Sequence, residues 1–303
     1  DNLLEDNDFS HTSNTCLKLW NACRNTVRRN NLSYGIRIDP GEVHARDSTC
    51  VLIESGSNDN QFTGNDCTHG GDGIFVRVLN QWVSTGNRFE NNDCSYANNN
   101  CVEAWSPRNT WIGNKANHGS YGFWLGASDQ NVLIGNEASH NGLESGHHNS
   151  PHLPENGHAG IVFMFGPSSH TLLRGNTCKG NNGAGIAAIG DLDSKGKKWN
   201  AFHWVIEQNK LTGNRWGIFL QHTEMFDLAA NQFRENAIGN VHQAENVTAL
   251  VEHPPRPEIK EPPSAKLSGP LVARVSDEAA FDASASSDPA RLQHLADSLT
   301  ARD

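Results

Sequence analysis

The sequence has no excess of basic residues and no long apolar run, and each absence excludes a class of protein. Its 303 residues carry a formal net charge of −10, whereas general nucleic-acid binding needs a concentrated basic surface. No stretch of about 18 consecutive apolar residues occurs, so we expect no membrane-spanning segment. The seven cysteines include no Cys-x-x-Cys pair, which argues against zinc-ribbon and thioredoxin motifs. We therefore expect neither a nucleic-acid partner nor a membrane span.

Charged residues are also scarce, at 19% of the chain, while 28 glycines are present. This balance favours turn-rich β structure over a helical bundle. A hydrophobic content of 36% is enough for one large domain or for one domain with a tail. The first residues, DNLLEDNDFS, already look like the middle of a repeat. We therefore expect that an N-terminal part was removed or lies outside this sequence.

One motif recurs through the first 236 residues. It consists of an Asn, any residue, a small or apolar residue, two further residues and a second Asn, as in residues 176–181. A few residues later comes a Gly followed by an alternating apolar strand, as in GIRI (35–38) and GIFV (73–76). A further short strand precedes the Asn, as in NVLIGN (131–136). The leading Asn falls at Asn7, Asn30, Asn65, Asn92, Asn114, Asn136, Asn176, Asn209 and Asn231.

Such a repeat predicts coils that are stable only when they are stacked. One coil cannot bury its own apolar face, and stacking makes the inward side chains into continuous columns. An Asn repeated at each coil would sit about 4.8 Å from its neighbour, where its amide can satisfy backbone groups of the bend. We predict an all-β fold, a right-handed single-stranded parallel β-helix of about nine coils, over residues 1–248. A Pro-rich linker (249–270) and an Ala/Ser-rich tail (271–303), with a short helix near 289–300, are expected to follow.

This repeat resembles the pectate-lyase-like parallel β-helix superfamily. Within it, the chain is similar to the carbohydrate-binding proteins and sugar hydrolases that include NosD-type proteins and mannuronan C5-epimerases. The resemblance covers about residues 1–248 and implies a secreted or periplasmic protein with a polysaccharide as its ligand or substrate. The Asp-Pro-His-Asp signature of the epimerases is not matched, because Asp39 and Pro40 are followed by Gly41. Epimerase activity is therefore not implied.

Strand alternation assigns the residue after each Gly to the core and the next one to the outside. The inward set is Ile36, Ile38, Ile74, Val76, Val102, Ala104, Phe123, Leu125, Ile161, Phe163, Ile186, Ala188, Ile218 and Leu220. The outward set is Arg37, Asp39, Phe75, Arg77, Glu103, Trp105, Trp124, Val162, Met164, Ala187, Ile189, Phe219 and Gln221. Aromatic rings beside charged groups are what a sugar chain needs, for stacking and for bonds to hydroxyls and carboxylates. The outward face is thus either a glycan groove or a face covered by a loop or a partner.

Insertions at 142–159, 190–203 and 39–50 flank this outward face, and long loops on a rigid scaffold are common places for function. Acids on the face suit glycoside hydrolysis, which uses one carboxyl as acid and another as base or nucleophile. Asp39, Asp72 and Glu103 are the candidates. The alternatives are that Asp72 only forms a turn and that Glu103 pairs with Arg77 one coil away.

A lyase would instead need a cation for a uronate carboxylate and a base for the C5 proton. Arg37 and Arg77 offer cations on one rim, and Lys197 lies in the loop on the other. Among the five histidines from His140 to His158, we expect His140 to belong to a turn. His158 lies closest to a strand and is a candidate acid, base or sugar contact, with polar filler as the alternative. The spacing does not suit a transition-metal site, and Asp191 and Asp193 lack the ligand pattern of a calcium loop.

We therefore expect an extracytoplasmic protein that binds a polysaccharide and cleaves it, by a lyase mechanism in preference to hydrolysis, without a cofactor. The alternatives are a non-catalytic carbohydrate-binding module and a structural cell-surface module. The expected catalytic residues are Glu103, Arg77, His158 and Asp72. The expected substrate-binding residues are Arg37, Asp39, Phe75, Trp105, Trp124 and Lys197.

Overall fold

The computed structural model describes residues 1–37, 48–126, 128–143, 158–164, 168–192 and 198–253. Within these residues the chain forms short parallel strands that stack coil upon coil, as a right-handed parallel β-helix. The chain divides into two units, Asp1–Pro255 and Arg256–Asp303, of which the second lies outside the described residues. No helix in the described ranges has the length and apolar character needed to cross a bilayer.

Two long sheets build most of the helix. The ten-stranded sheet contains Leu3–Glu5, Thr26–Arg28, Gln61–Thr63, Arg88–Glu90, Thr110–Ile112, Val132–Ile134, Leu172–Arg174, Val205–Glu207, Asp227–Ala229 and Val251–His253. The nine-stranded sheet contains Thr15–Trp20, Thr49–Glu54, Asp72–Val76, Val102–Ala104, Phe123–Leu125, Ile161–Met164, Ala184–Ile189, Trp216–Gln221 and Gly239–Gln243. The paired strands thus continue to His253, beyond the predicted limit at residue 248.

Shorter sheets complete the turns of the later coils. A three-stranded sheet contains Thr177–Lys179, Lys210–Thr212 and Gln232–Arg234. Another contains Ala201–Phe202, Thr223–Glu224 and Val247–Thr248. Asp191–Leu192 and Lys198–Trp199 pair antiparallel.

The inward columns lie as alternation predicts. Ile74, Val102, Phe123, Ile161, Ile186 and Ile218 follow one another in register along the nine-stranded sheet. All six are buried in one continuous core, together with the predicted residues two positions further along each strand. Buried apolar area of this kind is the main driving force that holds stacked coils together.

The predicted strand at GIRI (35–38) is wrong. The strand of that coil is Thr49–Glu54, in which Val51 pairs with Ile74 and so takes the core place expected for Ile36. Ile36 and Arg37 lie outside any strand and are half-exposed. The error arises because GIRI begins with a Gly and alternates as the true strands do, whereas TCVLIE is a continuous apolar run without that signature, and only the register with the neighbouring coils decides between them.

Asparagine ladders line the bends between the sheets. Asn92 illustrates one rung. Its Oδ1 accepts hydrogen bonds from the backbone N–H and the Nδ2 of Asn65, at 3.0 and 2.8 Å. Its Nδ2 donates to the carbonyl of Phe62 and to Oδ1 of Asn114, both at 3.0 Å. Each rung thereby satisfies backbone groups that the bend would otherwise leave unpaired in the interior.

A stack of six rings, the ring stack, runs along one outer corner. It consists of His11, Tyr34, His69, Tyr96, His118 and His140. Neighbouring ring centroids are 4.5 to 5.2 Å apart, and all six residues have positive φ. Offset ring pairs stabilise by about 0.5–1.5 kcal/mol beyond area burial. His140 thus belongs to a turn, as predicted.

Three cysteines that lie two residues after a ladder Asn act as small hydrophobes. Cys67, Cys94 and Cys178 are buried in the core. Burial raises the pKa of the Cys178 thiol, which keeps it in its neutral form. All seven cysteines are free.

Candidate functional site

The outward face of the nine-stranded sheet carries two columns of side chains. The Trp20 column comprises Trp20, Glu54, Arg77 and Trp105 in four successive coils. The Phe75 column comprises Lys18, Leu52, Phe75, Glu103, Trp124, Val162, Ala187 and Phe219. Five of the ten predicted site residues, Phe75, Arg77, Glu103, Trp105 and Trp124, fall in these two columns, because strands in register carry every second side chain to the same face.

The Phe75 column is covered along most of its length. Phe75 and Trp124 are each only 8% exposed. Further along the same face, Val162, Ala187 and Phe219 are buried in a second apolar cluster that also includes Trp124. The structure therefore shows the covered face, rather than an open groove, for this column.

Glu103 lies in the covered column with both carboxylate oxygens occupied. Its Oε1 accepts a hydrogen bond from Nε1 of Trp105 at 2.7 Å. Its Oε2 accepts from Nδ2 of Asn100 at 2.9 Å. Hydrogen bonds to both oxygens of a carboxylate fix its orientation. Glu103 thus holds the Trp105 ring in place.

Asp72 is buried at the start of its strand. Its Oδ1 accepts from Nδ2 of Asn99 at 2.9 Å and from the backbone N–H of Asn100 at 3.0 Å. These bonds tie the strand to the turn of the next coil. Because Asn100 also binds Glu103, the two predicted acids share one neighbouring residue.

His158 lies inside the protein, at 1% exposure. Its Nδ1 is 2.8 Å from Oγ of Ser120, and its ring stacks on Tyr121 at a centroid distance of 4.6 Å. Burial raises the pKa of Tyr121, so its phenol stays neutral. The sequence places His158 beside a strand correctly, but this position gives it no direct access to solvent.

Arg77 belongs to an ion cluster that the sequence analysis missed. Nε of Arg77 is 2.7 Å from Oε2 of Glu54, and Nζ of Lys18 is 2.7 Å from Oε1. The Glu54 side chain has no exposed surface. Its burial raises the pKa of Glu54, but the bonds from Lys18 and Arg77 lower it more, so the pKa lies below its usual value. The carboxylate therefore remains ionised at neutral pH.

A signal for this cluster was present in the sequence. In TCLKLW (15–20), alternation places Lys18 and Trp20 on one face, opposite the core leucines. The ammonium of Lys18 lies 4.7 Å from the Trp20 ring centroid, a cation–π contact. The positions of Lys18 and Trp20 beside Glu54 can be predicted once Thr49–Glu54 is recognised as the next strand.

The remaining predicted residues do not join this cluster. Arg37 lies outside the strands, and Asp39 and Lys197 lie outside the described residues. Trp105 is half-buried and packs edge-on against Trp124, with ring centroids 5.5 Å apart. Among the residues described, no three His, Cys, Asp or Glu side chains converge as metal ligands. Asp191 lies within the described chain and Asp193 lies outside it.

Comparison with known proteins identifies relatives of the fold. Residues 35–248 match the family described as periplasmic copper-binding protein (NosD). Among solved structures, the enzymatically active domain of tailspike protein 2 of bacteriophage CBA120 is 11% identical, with a TM-score of 0.55 over 81% of this chain and 38% of that chain. PfbA, a surface adhesin of Streptococcus pneumoniae, is 9% identical, with a TM-score of 0.51 over 82% of this chain and 71% of that chain.

A mannuronan C-5 epimerase module, the AlgE4 A-module of Azotobacter vinelandii, is 13% identical, with a TM-score of 0.47 over 76% of this chain and 64% of that chain. No curated protein matches the sequence. At such identities the solved structures establish the fold alone, and the chain spans little more than a third of the tailspike domain it matches.

Proposed function

The chain belongs to the periplasmic copper-binding protein (NosD) family, and from that premise we propose that it is an extracytoplasmic protein that binds a polysaccharide. Its fold is shared with an enzymatically active tailspike domain and with a surface adhesin. The proposed binding surface is the Trp20 column, on the N-terminal half of the outward face.

The observation that carries this proposal is the order of groups in the Trp20 column. An indole, a carboxylate, a guanidinium and a second indole follow one another in successive coils. Coils are spaced by about 4.8 Å, so the two indoles lie about 14 Å apart, within reach of a short oligosaccharide. Trp20 is 52% exposed and the Arg77 side chain 28% exposed. Exposed indoles stack on the apolar faces of sugars, and guanidinium groups bind their hydroxyls and carboxylates.

Copper does not fit the described residues, despite the family's description. His118 and His140 stack with their rings 17° from parallel and 5.2 Å apart. Imidazole lone pairs lie in the ring plane, so stacked rings do not direct their nitrogens at a common point. Burial raises the pKa of the Cys178 thiol, which opposes formation of the thiolate that binds metal. A hydrogen bond with Cys50 lowers the pKa of the Cys16 thiol to about 6, but no three His, Cys, Asp or Glu side chains of the described residues converge there. No step of the proposed function involves copper.

Polysaccharide binding predicts that loss of either column indole weakens affinity by about tenfold, or about 1.4 kcal/mol. Trp20→Ala and Trp105→Ala should both show this loss on a glycan array followed by calorimetry with the best polymer. Trp199→Ala is the matched control, because Trp199 is also exposed but lies on a later coil. A wild-type protein that binds no polymer would contradict the proposal and favour a structural role.

Cleavage of the bound chain is the second candidate. It is favoured by the two acids, Asp72 and Glu103, that meet at Asn100 beside the column residue Trp105. In β-elimination, Arg77 would neutralise a uronate carboxylate while a base removes the C5 proton; the C4=C5 double bond then forms as the C4–O glycosidic bond breaks, and the departing oxygen takes a proton. In hydrolysis, Glu103 and Asp72 would divide the acid and base roles, which requires the covered Phe75 column to open around them, since they are only 8% and 4% exposed.

If cleavage occurs, Glu103→Gln should lower turnover by at least a hundredfold, the usual contribution of an acid or base, while binding is retained. The measurement is product formation on uronate and neutral polymers, and an unsaturated product absorbing in the ultraviolet identifies a lyase. Glu235→Gln serves as an exposed control. Equal turnover in Glu103→Gln and wild type would remove Glu103 from the mechanism. If no polymer yields product, cleavage is rejected and binding remains as the proposed function.

A further inference from the structure

A cavity of about 300 Å³ opens next to the Trp20 column, between two exposed indoles. Trp20 forms one wall, and Trp82, which is 66% exposed, forms the other. Asn21, Ser55 and Asn80 complete the lining. A volume near 300 Å³ is at the small end of ligand pockets in proteins.

The turns that follow the strands build this cavity. Asn21 and Ser55 come directly after Thr15–Trp20 and Thr49–Glu54, and both have positive φ, as does Asn80. The indole of Trp82 passes 3.7 Å from where a Cβ of Gly56 would stand. The backbone N–H of Trp82 donates to the carbonyl of Leu79 at 3.0 Å. The two indoles are thus held by backbone structure on three successive coils.

The cavity walls favour a ligand without charge. The five described residues that line it carry no ionisable side chain, in contrast to Glu54 and Arg77 in the adjoining column. Two indoles supply apolar faces, while the amides of Asn21 and Asn80 offer both donors and acceptors. This combination suits a pyranose that carries hydroxyl groups only.

Ser55 gives the cavity a means of selecting one arrangement of hydroxyls. Its Oγ is buried and has no hydrogen-bond partner among the residues described. A rotation about its Cα–Cβ bond toward the cavity breaks no hydrogen bond, and a ligand hydroxyl would then satisfy it. A site with such a group rejects ligands that leave it unpaired.

We propose that this cavity binds one neutral hexopyranose unit between Trp20 and Trp82, with the Ser55 hydroxyl bonded to one sugar hydroxyl. The inference rests on the proposed polysaccharide binding and specifies the sugar at one end of the bound chain. The ammonium of Lys18 contacts the Trp20 ring at 4.7 Å. Trp82 provides the second apolar wall across the cavity.

The test is a titration of the full chain with methyl glycosides of neutral hexoses and of hexuronic acids, followed by tryptophan fluorescence and calorimetry. Neutral glycosides should bind at least tenfold more tightly than uronides. Trp82→Ala should weaken binding at least tenfold, and Ser55→Ala about tenfold for the preferred sugar but not for its analogue lacking the bonded hydroxyl. Trp199→Ala again serves as the exposed indole control.

Ser57→Ala is the matched control for Ser55→Ala. The hydroxyl of Ser57 donates to the carbonyl of Glu54 at 2.8 Å and accepts from the N–H of Ala22 at 3.1 Å. Its loss should lower the melting temperature and leave sugar affinity unchanged. Ser55→Ala removes an unpaired group and should not lower the melting temperature.

Wild-type affinity in Trp82→Ala, or equal binding of neutral and uronic glycosides, would overturn the inference. The proposed function can be separated from it, because Trp105→Ala reports on the column alone. If Trp105→Ala weakens polymer binding and Trp82→Ala leaves it unchanged, the sugar cavity is rejected and polysaccharide binding is kept. A wild-type protein that binds neither polymer nor glycoside would reject both.

Discussion

Asn92→Ala is expected to lower the free energy of unfolding by about 4 kcal/mol, since each buried polar group left unpaired costs about 1–3 kcal/mol. The side chain of Asn92 takes part in four hydrogen bonds to Asn65, Asn114 and Phe62. Alanine makes none of them. It leaves the N–H and the amide of Asn65 and the carbonyl of Phe62 without this partner, in an interior with little room for water. Urea denaturation followed by circular dichroism measures the change.

Asn231→Ala is the matched control, because Asn231 occupies the same ladder near its end, where it is half-exposed. Solvent can replace the lost bonds there, and we expect a smaller effect, about 1–2 kcal/mol. Equal effects at Asn92 and Asn231 would mean that burial does not set the strength of the rungs. An effect at Asn92 below 1 kcal/mol would show that the surrounding backbone finds other partners.

Glu54→Gln is expected to lower the free energy of unfolding at pH 7 by about 2 kcal/mol. Losing one partner of a buried ion pair costs about 3–5 kcal/mol, and the cost is smaller here because Lys18 and Arg77 are partly exposed and can be solvated. The pKa of Glu54 in the folded chain lies below its usual value of 4.5. The charge of Glu54 therefore contributes fully to the free energy of unfolding above pH 4.5, and this contribution is lost as the pH falls through the lower pKa of the folded state.

The difference between wild type and Glu54→Gln should thus shrink as the pH is lowered below 4.5, and unfolding curves recorded from pH 7 to pH 3 measure it. Glu235→Gln supplies the comparison, because its pair with Arg234 is exposed and should change stability little. A difference that stays constant with pH would show that the Glu54 charge does not stabilise the fold. Its effect would then come from packing.

The repeat made the fold predictable because each coil repeats the same local pattern. Alternation alone places Ile74, Val102 and Phe123 in the core, and the Asn spacing locates the bends. The strand of the second coil could not be assigned in this way. Gly35-Ile36-Arg37 and Gly73-Ile74-Phe75 look alike locally, and only pairing with Thr49–Glu54 separates them.

The candidate site was less predictable, for two physical reasons. Alternation indicates that Phe75 and Trp124 point away from the core, but it carries no information on whether another part of the protein covers them. Trp82 belongs to no periodic segment, so its place opposite Trp20 depends on the path of a turn. The face of a strand on which a side chain lies can be predicted from the local sequence pattern, whereas its access to solvent depends on how the rest of the chain folds.

The distance between asparagine rungs does not depend on the number of residues in the coil between them. Asn114 and Asn136 are 22 residues apart and Asn136 and Asn176 are 40 apart, yet the amide-to-amide distance is 3.0 Å in both. The cross-section of the β-helix is thus constant at this corner, while the length of the chain between rungs varies. Segments of new sequence can be grafted at such corners without retuning the interior. A scaffold of this kind can acquire or change a binding specificity one layer at a time.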